Sequence, residues 1–161
     1  MSRSGYSDDY DGWASIRYRG AVKSAINGKR GQQALREILA ALDAMPEKSL
    51  AAESLVTADG EYCTLGALGA ARGMNLDALD PEDHEGVAEA FGLAPAMVRE
   101  IVYENDEYCE DEREYFNVDI VGPMRPWERH RQLRWRTSPF GGARRWSYMR
   151  AWVARNIKAD A

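Results

Sequence analysis

Apolar positions recur most regularly in residues 31–45, where Leu35 is followed by Ile38, Leu39, Leu42 and Met45 at offsets of three, four, seven and ten. That spacing places all five on one face of a helix, with Leu39 and Leu42 mid-stripe and expected in the core. Pro46 has no N–H to donate and ends the helix. A weaker pattern, Ile16, Val22, Ala25 and Ile26, predicts a short helix over residues 15–27 that Gly28 closes. Residues 49–63 change character. Asp59-Gly60 lies between Leu55-Val56-Thr57 and Glu61-Tyr62-Cys63, and glycine accepts the positive φ of a tight turn, so two short strands of a hairpin are expected. Residues 64–71, TLGALGAA, read as a small-residue helix in which Gly66 and Gly69 weaken helicity but admit another backbone, with Gly73 as its stop.

Asp80-Pro81-Glu82-Asp83 predicts a helix start, with Asp80 as the cap, Pro81 in the first turn and carboxylates at the positive end of the dipole. Val87, Ala88 and Phe91 give that helix a buried face and Gly92 its end. Another helix starts at Pro95, with Met97, Val98, Ile101 and Val102 inward. Residues 104–119 are acid-rich and interrupted by Tyr108, Tyr115 and Phe116, which predicts a loop or a frayed helix over the core. Residues 126–136 are compatible with a helix, but Trp127, Leu133 and Trp135 form no clean stripe. From Ala143 onward Trp146, Met149, Val153 and Ile157 define an inward face, while Arg145, Tyr148, Trp152 and Arg155 form a second stripe expected nearer the surface, the alternative being that Trp152 packs under the basic segment and both stripes are structural. The fold class that follows is mainly α, a compact helical domain with a short β-hairpin near residues 50–63. A flexible acidic tail is expected over residues 1–14. A single domain then fills 15–161, including an acidic loop at 104–119 and a basic Trp/Arg-rich region at 124–158.

The length of 161 residues, with 45% hydrophobic and 29% charged side chains, suits one globular domain. No run approaches the roughly 18 to 20 apolar residues of a membrane span, and residues 1–12 are polar and acidic, so a cytoplasmic protein without membrane contact is expected. Cys63 and Cys109 are far apart and form no C-x-x-C pair, which points to reduced thiols rather than a disulfide scaffold or a zinc module. The net charge of -5 conceals a division: residues 1–120 carry 24 acidic against 11 basic side chains, and residues 121–161 carry 10 basic against 2 acidic.

Gly28-Lys29-Arg30-Gly31 has the glycines and cations of a phosphate loop, but no preceding strand and no G-x-x-x-x-G-K-[ST], so a helix–helix turn with solvated cations is expected. Asp80, Glu82, Asp83 and Glu85, with Glu104, Asp106 and Glu107, supply enough carboxylates for a hard cation or an acid–base pair only if separate elements converge. Cys63, His84, Cys109 and His130 lack the close pairs of a zinc motif, so no metal, cofactor or catalytic set is assigned. Arg125, Arg129, Arg131, Arg134, Arg136, Arg144 and Arg145, set among Trp127, Trp135 and Trp146, are a mixture that can bind phosphates and stack bases, or else be neutralised by the acidic run before it.

Six phrases carry a family resemblance: YRGAV from Tyr18, GKRG from Gly28, ALDAMP from Ala41, DGEYC-x-LGALG from Asp59, LDPED from Leu79 and IVYENDE from Ile101. Over roughly residues 16–107 and the final Trp-containing helix, the chain resembles a small-protein family of tailed phages and prophages. In that family a shorter acidic link leads to the last helix, which makes the basic insertion particular to this chain. The resemblance transfers no catalytic residue. It implies a phage protein in the bacterial cytoplasm whose partner is a host protein, such as a defence or nucleic-acid-processing factor, held through charged surface without catalysis. The residues expected to bind are Arg145, Tyr148, Trp152 and Arg155 with Glu104, Asp106 and Glu107, and self-association through the same set is an option. Two alternatives stand beside it: a nucleic-acid-binding accessory protein using the basic region, and a metal-dependent enzyme.

Overall fold

The computed structural model describes residues 12–108 and 140–159, together with the backbones of Glu112–Val118 and Gln132–Ser138. The first helix, α1 (Gly12–Asn27), begins earlier than the apolar pattern requires and takes in Gly12, Trp13 and Ala14 from the expected tail; the rest of that expectation lies outside the described residues. Only Val22 and Ile26 of α1 are buried. Gly28 then serves as the extended N-cap of α2 (Lys29–Ala44), and a Cβ on Gly31 would sit 2.0 Å from the Ala25 carbonyl oxygen. The Gly-Lys-Arg-Gly phrase is thus a tight helix–helix turn.

Leu35, Ile38 and Leu42 of α2 are fully buried, but Leu39 is only partly so, which corrects its place at the centre of the core. The buried face of α2 includes the small residues Ala34 and Ala41 on the side away from Leu39, and small side chains let neighbouring elements come close there. Leu39 is left on the flank.

The expected hairpin is reduced to one bridge, Val56 to Tyr62, closed by Thr57 N–H donating to Glu61 O at 2.8 Å around Gly60 at φ +83. The pairing ends with Cys63 N–H donating to Leu55 O at 3.2 Å, because Cys63 then caps the next helix and the Tyr62 carbonyl accepts from Ala51 N–H at 2.9 Å. Helix α3 (Thr64–Ala71) follows, with its Gly66 so close to the hairpin that a Cβ there would lie 1.8 Å from the Leu55 carbonyl oxygen.

A 3-10 turn (Leu76–Ala78) leads to α4 (His84–Phe91), which starts later than Asp80-Pro81 predicts. Asp83 is its cap, accepting from Gly86 N–H at 3.0 Å, while Asp80 instead accepts from Glu82 N–H at 2.9 Å and folds the preceding turn back on itself. Helix α5 (Pro95–Val102) buries Met97, Val98, Ile101 and Val102 and runs on into a π-helical turn, Tyr103–Glu107, so the acidic segment begins as helix, one of the two forms expected of it. The last helix, α6 (Gly142–Asn156), buries Met149, Trp152 and Val153 and packs on α2. Arg150 and Asp43 join the two helices at 2.5 and 3.0 Å, and the Trp146 indole donates to Leu42 O at 3.1 Å.

The protein is mainly α. The contacts divide into two compact units, residues 110–140 and the rest. In the smaller unit β1 (Glu112–Val118) and β2 (Gln132–Ser138) pair antiparallel, with Tyr115 opposite Trp135 and Glu114 opposite Arg136. A strand therefore stands at 112–118, in the segment expected as a loop or a frayed helix, and another where a helix over 126–136 was considered. The alternation Leu133, Trp135, Thr137 against Gln132, Arg134, Arg136 is the period-two signal for it. Among the described residues no helix is long and apolar enough to cross a membrane.

Candidate binding surface

The IVYENDE phrase completes α5 and turns with π register, where Tyr108 N–H reaches back to Tyr103 O at 2.9 Å. Widening the helix there directs Asn105 into the interior, at 2% exposure, between acidic neighbours that stay partly exposed. The Asn105 side-chain oxygen accepts from the Thr64 hydroxyl at 2.7 Å and the Thr64 N–H at 3.2 Å. Its amide nitrogen donates to Ala51 O at 3.0 Å and to the Asp106 carboxylate at 2.6 Å. A single buried amide thereby joins the start of α3, the chain before the hairpin and the end of α5. The sequence reading named Glu104, Asp106 and Glu107 and passed over Asn105 between them.

Helix α6 meets the same turn. The Arg145 guanidinium donates to Asn105 O at 2.9 Å and to Leu50 O at 3.1 Å, which makes it an internal clamp on two carbonyls. The Tyr148 hydroxyl donates to the Glu104 carboxylate, and the Tyr148 ring stacks on Tyr108 with centroids 5.0 Å apart. Trp152 is 5% exposed and belongs to the core, which corrects its expected place near the surface; the cause is the π turn, which fills the side of α6 that the sequence leaves open. Arg155 is exposed. The structure thus does bring the α6 stripe and the acidic segment together, largely as internal partners of one another.

Burial raises the Glu104 carboxyl above its ordinary range; the Tyr148 bond opposes this, Glu100 adds to it, and a Trp152 bond and the Arg155 charge oppose it further. Tyr103 is also pushed up, first by burial and then by Glu104, Glu107 and Glu100. Tyr108, at 60% exposure, presents an aromatic ring beside these carboxylates.

Other candidate chemistry stays dispersed. Cys63 is buried as the N-cap of α3, its sulfur accepting from Gly66 N–H at 3.4 Å, and Cys109 and His130 lie outside the described residues. Among the described residues no three His, Cys, Asp or Glu gather as metal ligands would. A cleft of about 400 Å³ between the end of α2, the Asp59-Gly60 turn and α3 is walled largely by Ala41, Ala44, Ala67, Ala70 and Ala71, with Glu47, Asp59 and Glu61 along it. The basic stretch 124–139 has no described side chain. Comparison with family models, with curated proteins and with solved structures gives no match.

Proposed function

We propose that the protein is a non-enzymatic binding module that holds a protein partner, a host protein if it is of phage origin, on the acidic, tyrosine-bearing face at the end of α5. The observation that carries this reading is the set Glu100, Glu104 and Glu107 around Tyr103, whose ionisation they oppose after burial has already done so, with the exposed ring of Tyr108 alongside. Tyrosine supplies broad contact area with little side-chain entropy to lose, and a local negative potential speeds the approach of a basic partner. The Asn105 and Arg145 contacts hold this face rigid, which spares a partner the cost of ordering it.

The test is co-purification from lysate with the wild-type chain and with Glu107→Arg/Tyr108→Ala. A partner present in equimolar amount, captured by the wild type and lost by a variant whose melting temperature is unchanged, is the expected result. Identical capture by both chains would remove this face from recognition.

A further inference from the structure

Residues 12–30 contain Arg17, Arg19, Lys23, Lys29 and Arg30 and no carboxylate. At about 100° per residue, Trp13, Arg17 and Gly20 of α1 fall opposite the buried Val22 and Ile26, Ile16 and Lys23 lie on the flank between, and Arg19 projects beside Ile26. The side chains obey that projection: Trp13 is 75% exposed, Ile16 is 62% exposed, and all five cations are exposed. Among the described residues none of the five cations is held in an ion pair. Lys29 and Arg30 also line a cleft of about 570 Å³ between the α1–α2 turn and the start of α5.

We infer that this outer face of α1, continued by Lys29 and Arg30, binds a single-stranded nucleic acid. Its cations take the phosphates and the Trp13 ring stacks on a base. Charge complementarity selects the occupant: five cations without a carboxylate match a polyanion, whereas the cores of protein interfaces are depleted of charge. A bilayer surface would require a broad apolar face, and α1 turns only Trp13 and Ile16 outward. The net charge of -5 does not cancel the local one. Helix α1 itself, roughly 10 Å across, stands between its outer face and α5, on which it packs and whose one carboxylate is Glu100, and the screening length in physiological salt is about 8 Å. This surface is separate from the acidic face at the end of α5 and stands or falls without it.

The test uses the full chain and a fluorescently labelled oligothymidine, with anisotropy read against salt concentration. With up to five phosphates engaged, and about 0.7 per phosphate for a single strand, the logarithmic slope should reach about −3.5. Arg17→Glu/Lys23→Glu should abolish binding at 150 mM salt, and Trp13→Ala should weaken it by about fivefold or more, since stacking on an aromatic ring is worth at least that. All of these residues are exposed, so circular dichroism should show the fold unchanged. The inference is overturned if the wild type does not bind, if both α1 variants bind as the wild type does, or if Arg134→Ala/Arg136→Ala alone removes binding. It is equally overturned if the chain binds phosphatidylglycerol vesicles and not the oligonucleotide.

Discussion

Asn105 makes four side-chain hydrogen bonds from a position that is 2% exposed, and two of its partners, Thr64 and Ala51, are 41 and 54 residues away in the chain. Removing the amide would leave a buried hydroxyl, an N–H and a carbonyl unsatisfied together, each costing about 1 to 3 kcal/mol, although relaxation shares the loss. Asn105→Ala should therefore lower unfolding free energy by about 3 kcal/mol in urea titration; a loss below about 1 kcal/mol would mean that water replaces the amide. Glu104 makes a different prediction. Its carboxyl is raised, so the native chain holds that proton more tightly than the unfolded chain does. The resulting stability is complete below the ordinary value of 4.5 and is lost as pH rises through the raised one. Glu104→Gln should thus gain melting temperature relative to wild type as pH climbs from 4 and level off above that window. Glu37, lowered by Gln33 and Arg72, and Asp43, lowered by Arg150, act with the opposite sign, but both chains keep them and they cancel in the difference. A difference that runs the other way with pH would contradict the burial of Glu104.

At the scale of elements, helices were legible wherever one face repeats: α2 and α5 follow their apolar spacing, α3 was read from its small residues and is buried on every side over 64–69, and Gly92, at φ +65, ends α4 as glycine can. Starts were harder to read, because Asp80 and Asp83 are equally good caps in sequence and only the folding of the turn chooses between them. The ribbon was missed for another reason: of its two seven-residue strands only β2 alternates, and arginine-rich alternation in a region already read by charge is a weak signal. Both stripes of α6 were visible, yet which of them would be covered depended on a π turn forty residues earlier in the chain. The acidic half of the candidate surface was therefore legible as composition. Its geometry was not, because Asn105 is one polar letter in an acidic phrase and its role lies in partners that sequence does not bring near.

For the whole molecule, the helical body leaves its path at Cys109 and resumes it at Gly141. Arg145 bonded to Asn105 and Tyr148 stacked on Tyr108 hold the two points of departure side by side. In polymer terms, residues 110–140 form a loop whose closure is already fixed by the body it leaves, so its length enters stability only logarithmically. Each halving should return about 0.6 kcal/mol. Replacing the roughly thirty residues with a Gly/Ser linker of about eight is nearly two halvings, worth about 1 kcal/mol. The shortened chain should keep its helical spectrum and melt no lower than the parent, whereas a large drop would show that the segment braces the helices. Held to that limit, 110–140 occupies a site in the chain where length and sequence can change from one descendant to the next while the helices around it stay the same.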